Sequence, residues 1–213
     1  MISLFTLPIL LVSTPVDFQP IDFVASTTLS FESQPETTDA PLVNIQEEEQ
    51  LSVSPQTWGK KDTWRWNIQA GWAKDVKNSD NTLEVYGVEF EYFVDEDLSL
   101  DFGFLGMSVD QDGPNANGFN FTLQLRWHFV AKETWSMFLE GGAGLLRTSN
   151  NVPTGGSRFN FTPQAGLGFS FDIGNQNRWL VGVKWHHISN ANTYSTNPGR
   201  DSIMIWTGIS FPF

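Results

Sequence analysis

At 213 residues with a formal charge of -12, the chain has room for one domain and a tail, and without an uncharged apolar run of 18 residues it cannot cross a membrane as a bundle of helices. Its acidity leaves no basic footprint for a phosphate backbone, which argues against nucleic acid as a partner, and the absence of cysteine removes disulfide scaffolds, thiolate metal sites and Cys nucleophiles together. The excess lies in aromatics: nine Trp and 18 Phe, with 26 of the 30 aromatic residues after position 57.

Residues 1 to 16, MISLFTLPILLVSTPV, form an uncharged, mostly apolar stretch resembling the h-region of a secretory signal peptide. The basic n-region and the A-x-A cleavage site are missing, which marks either a misassigned start or an atypical signal. From Thr14 to Pro55 the chain is rich in Ser, Thr, Pro, Gln and acids and runs into Glu47-Glu48-Glu49. Such a composition cannot bury enough apolar surface to order itself. Residues 1–57 are therefore expected to be a signal-like, acidic and disordered or removed segment, ahead of a folded domain over 58–213.

From Thr63 onward the apolar period is 2, the mark of strands with two chemically different faces. The first segment sets Trp64, Trp66, Ile68, Ala70 and Trp72 against Arg65, Asn67, Gln69 and Gly71. The second sets Tyr86, Val88, Phe90 and Tyr92 against Glu89 and Glu91, and the third sets Leu98, Leu100, Phe102 and Phe104 against Ser99 and Asp101. The fourth alternates from Phe119 to Phe129, with Gln124, Arg126 and His128 between the apolar residues. Met137 to Leu145, Phe159 to Phe171, Trp179 to Ser189 and Ser202 to Phe213 complete eight segments, and no helical period competes with them.

A soluble sandwich would alternate too, so the question is which face lies inside. The even count, spans of about 9 to 13 residues, and connections that alternate between long (73–82, 107–118, 147–158, 190–201) and short predict an outer-membrane barrel. The fold expected is all-β, an eight-stranded antiparallel up-and-down transmembrane β-barrel with a polar, filled interior, in the bacterial outer membrane. Aromatics then fall into two interfacial girdles, Trp64, Tyr92, Phe129, Trp135, Phe171, Trp179, Phe211 and Phe213 at the periplasmic rim and Trp72, Phe104, Phe119 and Phe159 at the outer one. Inside, Arg65, Arg126 and Lys184 should pair with Glu89, Glu91, Asp101 and Glu140 as a plug, because eight strands enclose room for side chains only. His128 and His186 are expected to be hydrogen-bonded interior residues.

The seventh strand carries the chemistry. Its outward stripe Trp179, Val181, Val183, Trp185 ends in His187 and Ser189, polar groups in a costly place. Asp201 has the outward parity of Ile203 and Ile205, and a register pairing Trp185 with Ile203 would set it opposite His187. A Ser, a His and an acid on one patch suit acyl transfer: Ser189 attacks a carbonyl, His187 takes its proton, Asp201 holds the imidazole, and Asn190 is the candidate oxyanion donor. The bland alternative is three interfacial polar residues at a barrel rim. His186 and His187 point to opposite faces and cannot chelate one ion, and neither a metal nor a cofactor is implied.

The string His187-Ile-Ser189-Asn190-Ala191, followed by Asn197-Pro198-Gly199-Arg200-Asp201-Ser202 and a final apolar strand, resembles the lipid A 3-O-deacylase (PagL) family of outer-membrane barrels. The resemblance covers 63–213 as architecture, and its specific part is Lys184 to Ser202. It implies a serine esterase, with Ser189 as nucleophile and His187 as base, that removes the ester-linked 3-O-acyl chain of lipid A in the outer leaflet of lipopolysaccharide. Asp201 stands where the family's acid is usually Glu, one methylene longer. The competing readings are a noncatalytic barrel for adhesion or envelope structure, an acyltransferase, against which the charged lumen argues, and a soluble β-sandwich. A homodimer is compatible with the apolar outward face, since lipid-facing and partner-facing surfaces look alike.

Overall fold

Strand alternation is realised throughout the computed structural model, which describes residues 58–78 and 80–213. The expectations for 1–57 lie outside the described residues. The elements are β1 (Trp64–Asp75), β2 (Thr82–Asp95), β3 (Leu98–Asp110), β4 (Ala116–Ala131), β5 (Trp135–Val152), β6 (Ser157–Phe161), β7 (Gln164–Asp172), β8 (Arg178–Ile188) and β9 (Arg200–Pro212). Each pairs antiparallel with its neighbours, and the β1–β9 and β4–β5 ladders close the ring.

The segment expected as one sixth strand is divided into β6 and β7 at Thr162-Pro163. The cause is local, since Pro163 has no N–H to give to a ladder. The register carries through the interruption: Leu145 pairs with Phe161 and Gly142 with Gln164 on one side, and Gln164 with His186 and Phe161 with Ser189 on the other. β6 and β7 therefore occupy one place in the wall, and the barrel is eight-stranded.

The long connections are mostly strand. β1 and β2 run to Asp75 and from Thr82, β3 and β4 to Asp110 and from Ala116, and β5 and β6 to Val152 and from Ser157. Only the connection from Ser189 to Gly199 remains long. Polar residues alternate with apolar ones beyond the lipid band, so the ladders continue where hydropathy alone suggests loops.

Burial settles which face is inside. Phe119, Ile205 and Ile68 are 80%, 57% and 52% exposed, while Arg126, Glu89, Glu91 and Asp101 are wholly buried. Such an inversion suits a hydrocarbon surrounding and not water. The outward aromatics pair across neighbouring strands near the rim, Trp64 with Tyr92 at 4.7 Å and Trp66 with Phe211 at 4.6 Å between ring centroids.

The lumen is organised around one guanidinium. Arg126 reaches Glu89 at 2.9 Å, Glu91 at 3.4 Å, Asp101 at 3.0 Å and Glu140 at 3.1 Å, and Lys184 reaches Glu140 at 2.8 Å. Beneath it the rings of Phe138 and Trp206 lie 5.1 and 5.5 Å from the guanidinium carbon. Arg65 departs from the expected pairing: its donors go to Ser210 Oγ and to the carbonyls of Gln176 and Ser210. Together with Arg178 it instead flanks Trp58, each guanidinium carbon 4.5 Å from the ring, at the periplasmic mouth. His128 bonds Ser136 Oγ at 2.8 Å as expected. His186 is buried, but neither ring nitrogen has a partner among the described residues.

Candidate active site

At the outer end of the wall, β8 and β9 pair Trp185 with Ile203 and His187 with Asp201. The strand parity aims both side chains of the second pair at the outer surface, where they are 24% and 30% exposed. His187 Nδ1 lies 2.7 Å from Asp201 Oδ1. A carboxylate can only accept, so the proton of that bond sits on Nδ1 and the lone pair is left on Nε2, the tautomer a general base requires.

The backbone around His187 is held from both sides. On one it faces Asp201, and on the other its N–H donates to Pro163 O at 2.9 Å. Ser189 lies just beyond β8 and is tied to Phe161 by two backbone bonds, its N to Phe161 O at 3.1 Å and Phe161 N to its O at 2.7 Å. It shares the half-exposed outward side with His187, two residues or about 7 Å along the strand. No hydrogen bond joins the Ser189 hydroxyl to His187 among the described residues. Contacts between a catalytic serine and its histidine are in general often long without substrate and tighten only when it binds.

Asn190 is placed differently from its expected role. It is 1% exposed, its Nδ2 donates to Thr196 O at 2.7 Å, its N donates to Asn197 Oδ1 at 3.0 Å, and its Oδ1 accepts from Asn192 N at 3.0 Å. Its carbonyl accepts from Thr193 as well. These bonds make it the organiser of the connection to β9. Within that connection Ala191 and Asn192 have φ of 50° and 62°, conformations that need such support in residues other than glycine.

Sequence reasoning missed three contributors. Trp185 Nε1 donates to Asp201 Oδ1 at 3.1 Å, and its ring stacks on the imidazole with centroids 5.6 Å apart. Lys77, in the β1–β2 connection, brings Nζ to 4.0 Å from Asp201 Oδ2. Gly199, with φ of 54°, lies against the open edge of the imidazole: a Cβ there would be 3.4 Å from His187 Cε1 and 3.8 Å from Nε2. Of the three, only Gly199 carries a sequence signal, as the glycine of a Pro-Gly turn.

The family profile described as lipid A 3-O-deacylase (PagL) matches residues 50–210. Among solved structures the chain is similar to the outer membrane enzyme PagL, with a TM-score of 0.58 and 20% identity, covering 69% of this chain and 99% of that one. It is also similar to Neisserial surface protein A, with a TM-score of 0.57 and 15% identity, covering 70% of this chain and 97% of that one. At these identities the two structures share the fold. No curated protein matches the chain.

Proposed function

Because the chain belongs to the lipid A 3-O-deacylase (PagL) family and is an outer-membrane barrel, we propose that it is a serine esterase that hydrolyses the ester-linked 3-O-acyl chain of lipid A. Fold alone does not choose a function. The observation that carries the reading is the 2.7 Å contact of His187 Nδ1 with Asp201 Oδ1, on the lipid-facing side and two residues from Ser189.

In the reaction the Ser189 hydroxyl oxygen attacks the ester carbonyl while His187 Nε2 takes its proton. Asp201 stabilises the imidazolium that forms. The tetrahedral intermediate collapses, His187 returns the proton to the departing sugar 3-oxygen, and the acyl group stays on Ser189. Water, deprotonated by the same imidazole, then releases a 3-hydroxy fatty acid and restores the serine. An outward site suits this substrate, whose acyl chains already lie in the outer leaflet beside the barrel wall.

The oxyanion donor is better supplied by Asn197 than by Asn190. Asn190 is buried and its amide is committed to Thr196 O. Asn197 has its Oδ1 occupied by Asn190 N–H at 3.0 Å, which orients the amide and leaves Nδ2 without an acceptor among the described residues. Mass spectrometry of lipid A from outer membranes carrying this protein, beside its Ser189→Ala variant, tests the reading. Loss of one 3-hydroxyacyl mass in the native case alone supports it. Unchanged lipid A with a folded barrel would return the protein to the noncatalytic class.

A further inference from the structure

We propose that Trp185 is a positioning residue of this site, its indole N–H fixing the carboxylate oxygen on which His187 depends. The inference rests on the reading of His187 and Asp201 as base and acid. Trp185 is one outward position below His187 on β8, and its Nε1 donates to Asp201 Oδ1 at 3.1 Å. The same oxygen accepts from His187 Nδ1 at 2.7 Å.

A lipid-facing tryptophan near a rim ordinarily serves as an interfacial anchor, its N–H turned to headgroups or water. Trp185 is 41% exposed, as such an anchor is. Its N–H, however, is turned across the ladder to a carboxylate. Trp179, lower on β8, also donates to β9, but to the Thr207 hydroxyl at 2.8 Å, where nothing reactive depends on the contact. At Trp185 the acceptor is the group that orients the base.

The carboxylate needs a second anchor because it is short and has a competitor. An aspartate reaches His187 only from directly opposite, and rotation about its Cα–Cβ bond would carry both carboxylate oxygens away from the imidazole. Lys77 Nζ, on a 72% exposed side chain, lies 4.0 Å from Oδ2 and draws the group toward water. Two donors converging on Oδ1 from different directions oppose that rotation, and at the edge of the lipid band charge-assisted bonds are strong. The indole face adds a second effect. Stacked at 25° to the imidazole, it favours the imidazolium that forms when Ser189 is deprotonated.

Trp185→Phe keeps a ring and removes the donor. In refolded barrel in detergent micelles, 15N NMR of labelled histidine reads the Nδ1 proton of His187 without any turnover. Its resonance is expected to move upfield and to exchange faster with water in the variant, whereas Trp185→Phe added to Asp201→Ala should change nothing further. Deacylation by Trp185→Phe should fall about tenfold in kcat, with KM nearly unchanged. A native-like Nδ1 proton in Trp185→Phe, or an equal change with and without Asp201, overturns the proposal. Trp185→Leu, which likewise removes the donor, is read in the same way if the Phe variant does not refold. Because the NMR signature needs no reaction, a Trp185-dependent Nδ1 proton together with unchanged lipid A would keep the positioning role and reject the esterase reading.

Discussion

His187 and Asp201 face each other directly across the β8–β9 ladder, Nδ1 to Oδ1 at 2.7 Å, with both side chains on the outside of the barrel. Replacing the acid by its amide, Asp201→Asn, leaves the shape and reverses the logic. The amide can donate to Nδ1, which moves the imidazole proton to Nε2 and removes the base. The expected loss in kcat is about 10^4-fold, measured as deacylation rate in micelles. Asp201→Glu, which keeps an acceptor, should retain far more activity.

Asn197→Ala separates the two candidates for the oxyanion. Loss of one such donor lowers kcat by about 10^2–10^3-fold with little change in KM. Asn190→Ala acts through the loop instead: it strands the partners of a buried amide, at about 1–3 kcal/mol. It should therefore expose residues 191–199 to protease. Native-like proteolysis of Asn190→Ala would remove its role as organiser.

Gly199 combines a positive φ with closeness to the base. In Gly199→Val the side chain would start 3.4 Å from His187 Cε1 in a backbone conformation that costs a β-branched residue more than the roughly 1–2 kcal/mol typical of L-residues. Activity should be lost while the barrel still shows its heat-dependent shift on gels. A fully active variant would mean that the approach to Nε2 is wider than the structure has it.

Arg126 should dominate stability and leave the outer site untouched. Arg126→Met leaves Glu89, Glu91, Asp101 and Glu140 without their shared cation in a buried lumen. Breaking one buried pair already costs about 3–5 kcal/mol, and here four carboxylates lose one partner. The midpoint of urea unfolding from micelles should drop sharply. Ser189, His187 and Asp201 face the other side of the wall, so the folded fraction should keep its activity per molecule.

The sequence by itself determined the local commitments. A period of 2 is written residue by residue, so the strands, the outward parity of His187, Ser189 and Asp201, and the opposite facing of His186 and His187 were all legible in it. So was the identity of the interior charges, because burial in a narrow lumen demands opposite partners. The tertiary structure decided everything that depends on register, closure and side-chain direction. Only the closed ring gathers Glu89, Glu91, Asp101 and Glu140 from three strands onto Arg126, and only the β8–β9 register brings Asp201 Oδ1 within reach of both Trp185 and His187. Charge alone gives Arg65 an acid for a partner, yet it stacks on Trp58, which lies ahead of β1 in sequence and against the same mouth in space. Asn190 and Asn197 are alike in composition and neighbourhood. In a connection without periodicity nothing local says which amide turns inward to hold the chain and which stays partly exposed, and the fold decides it by burying Asn190.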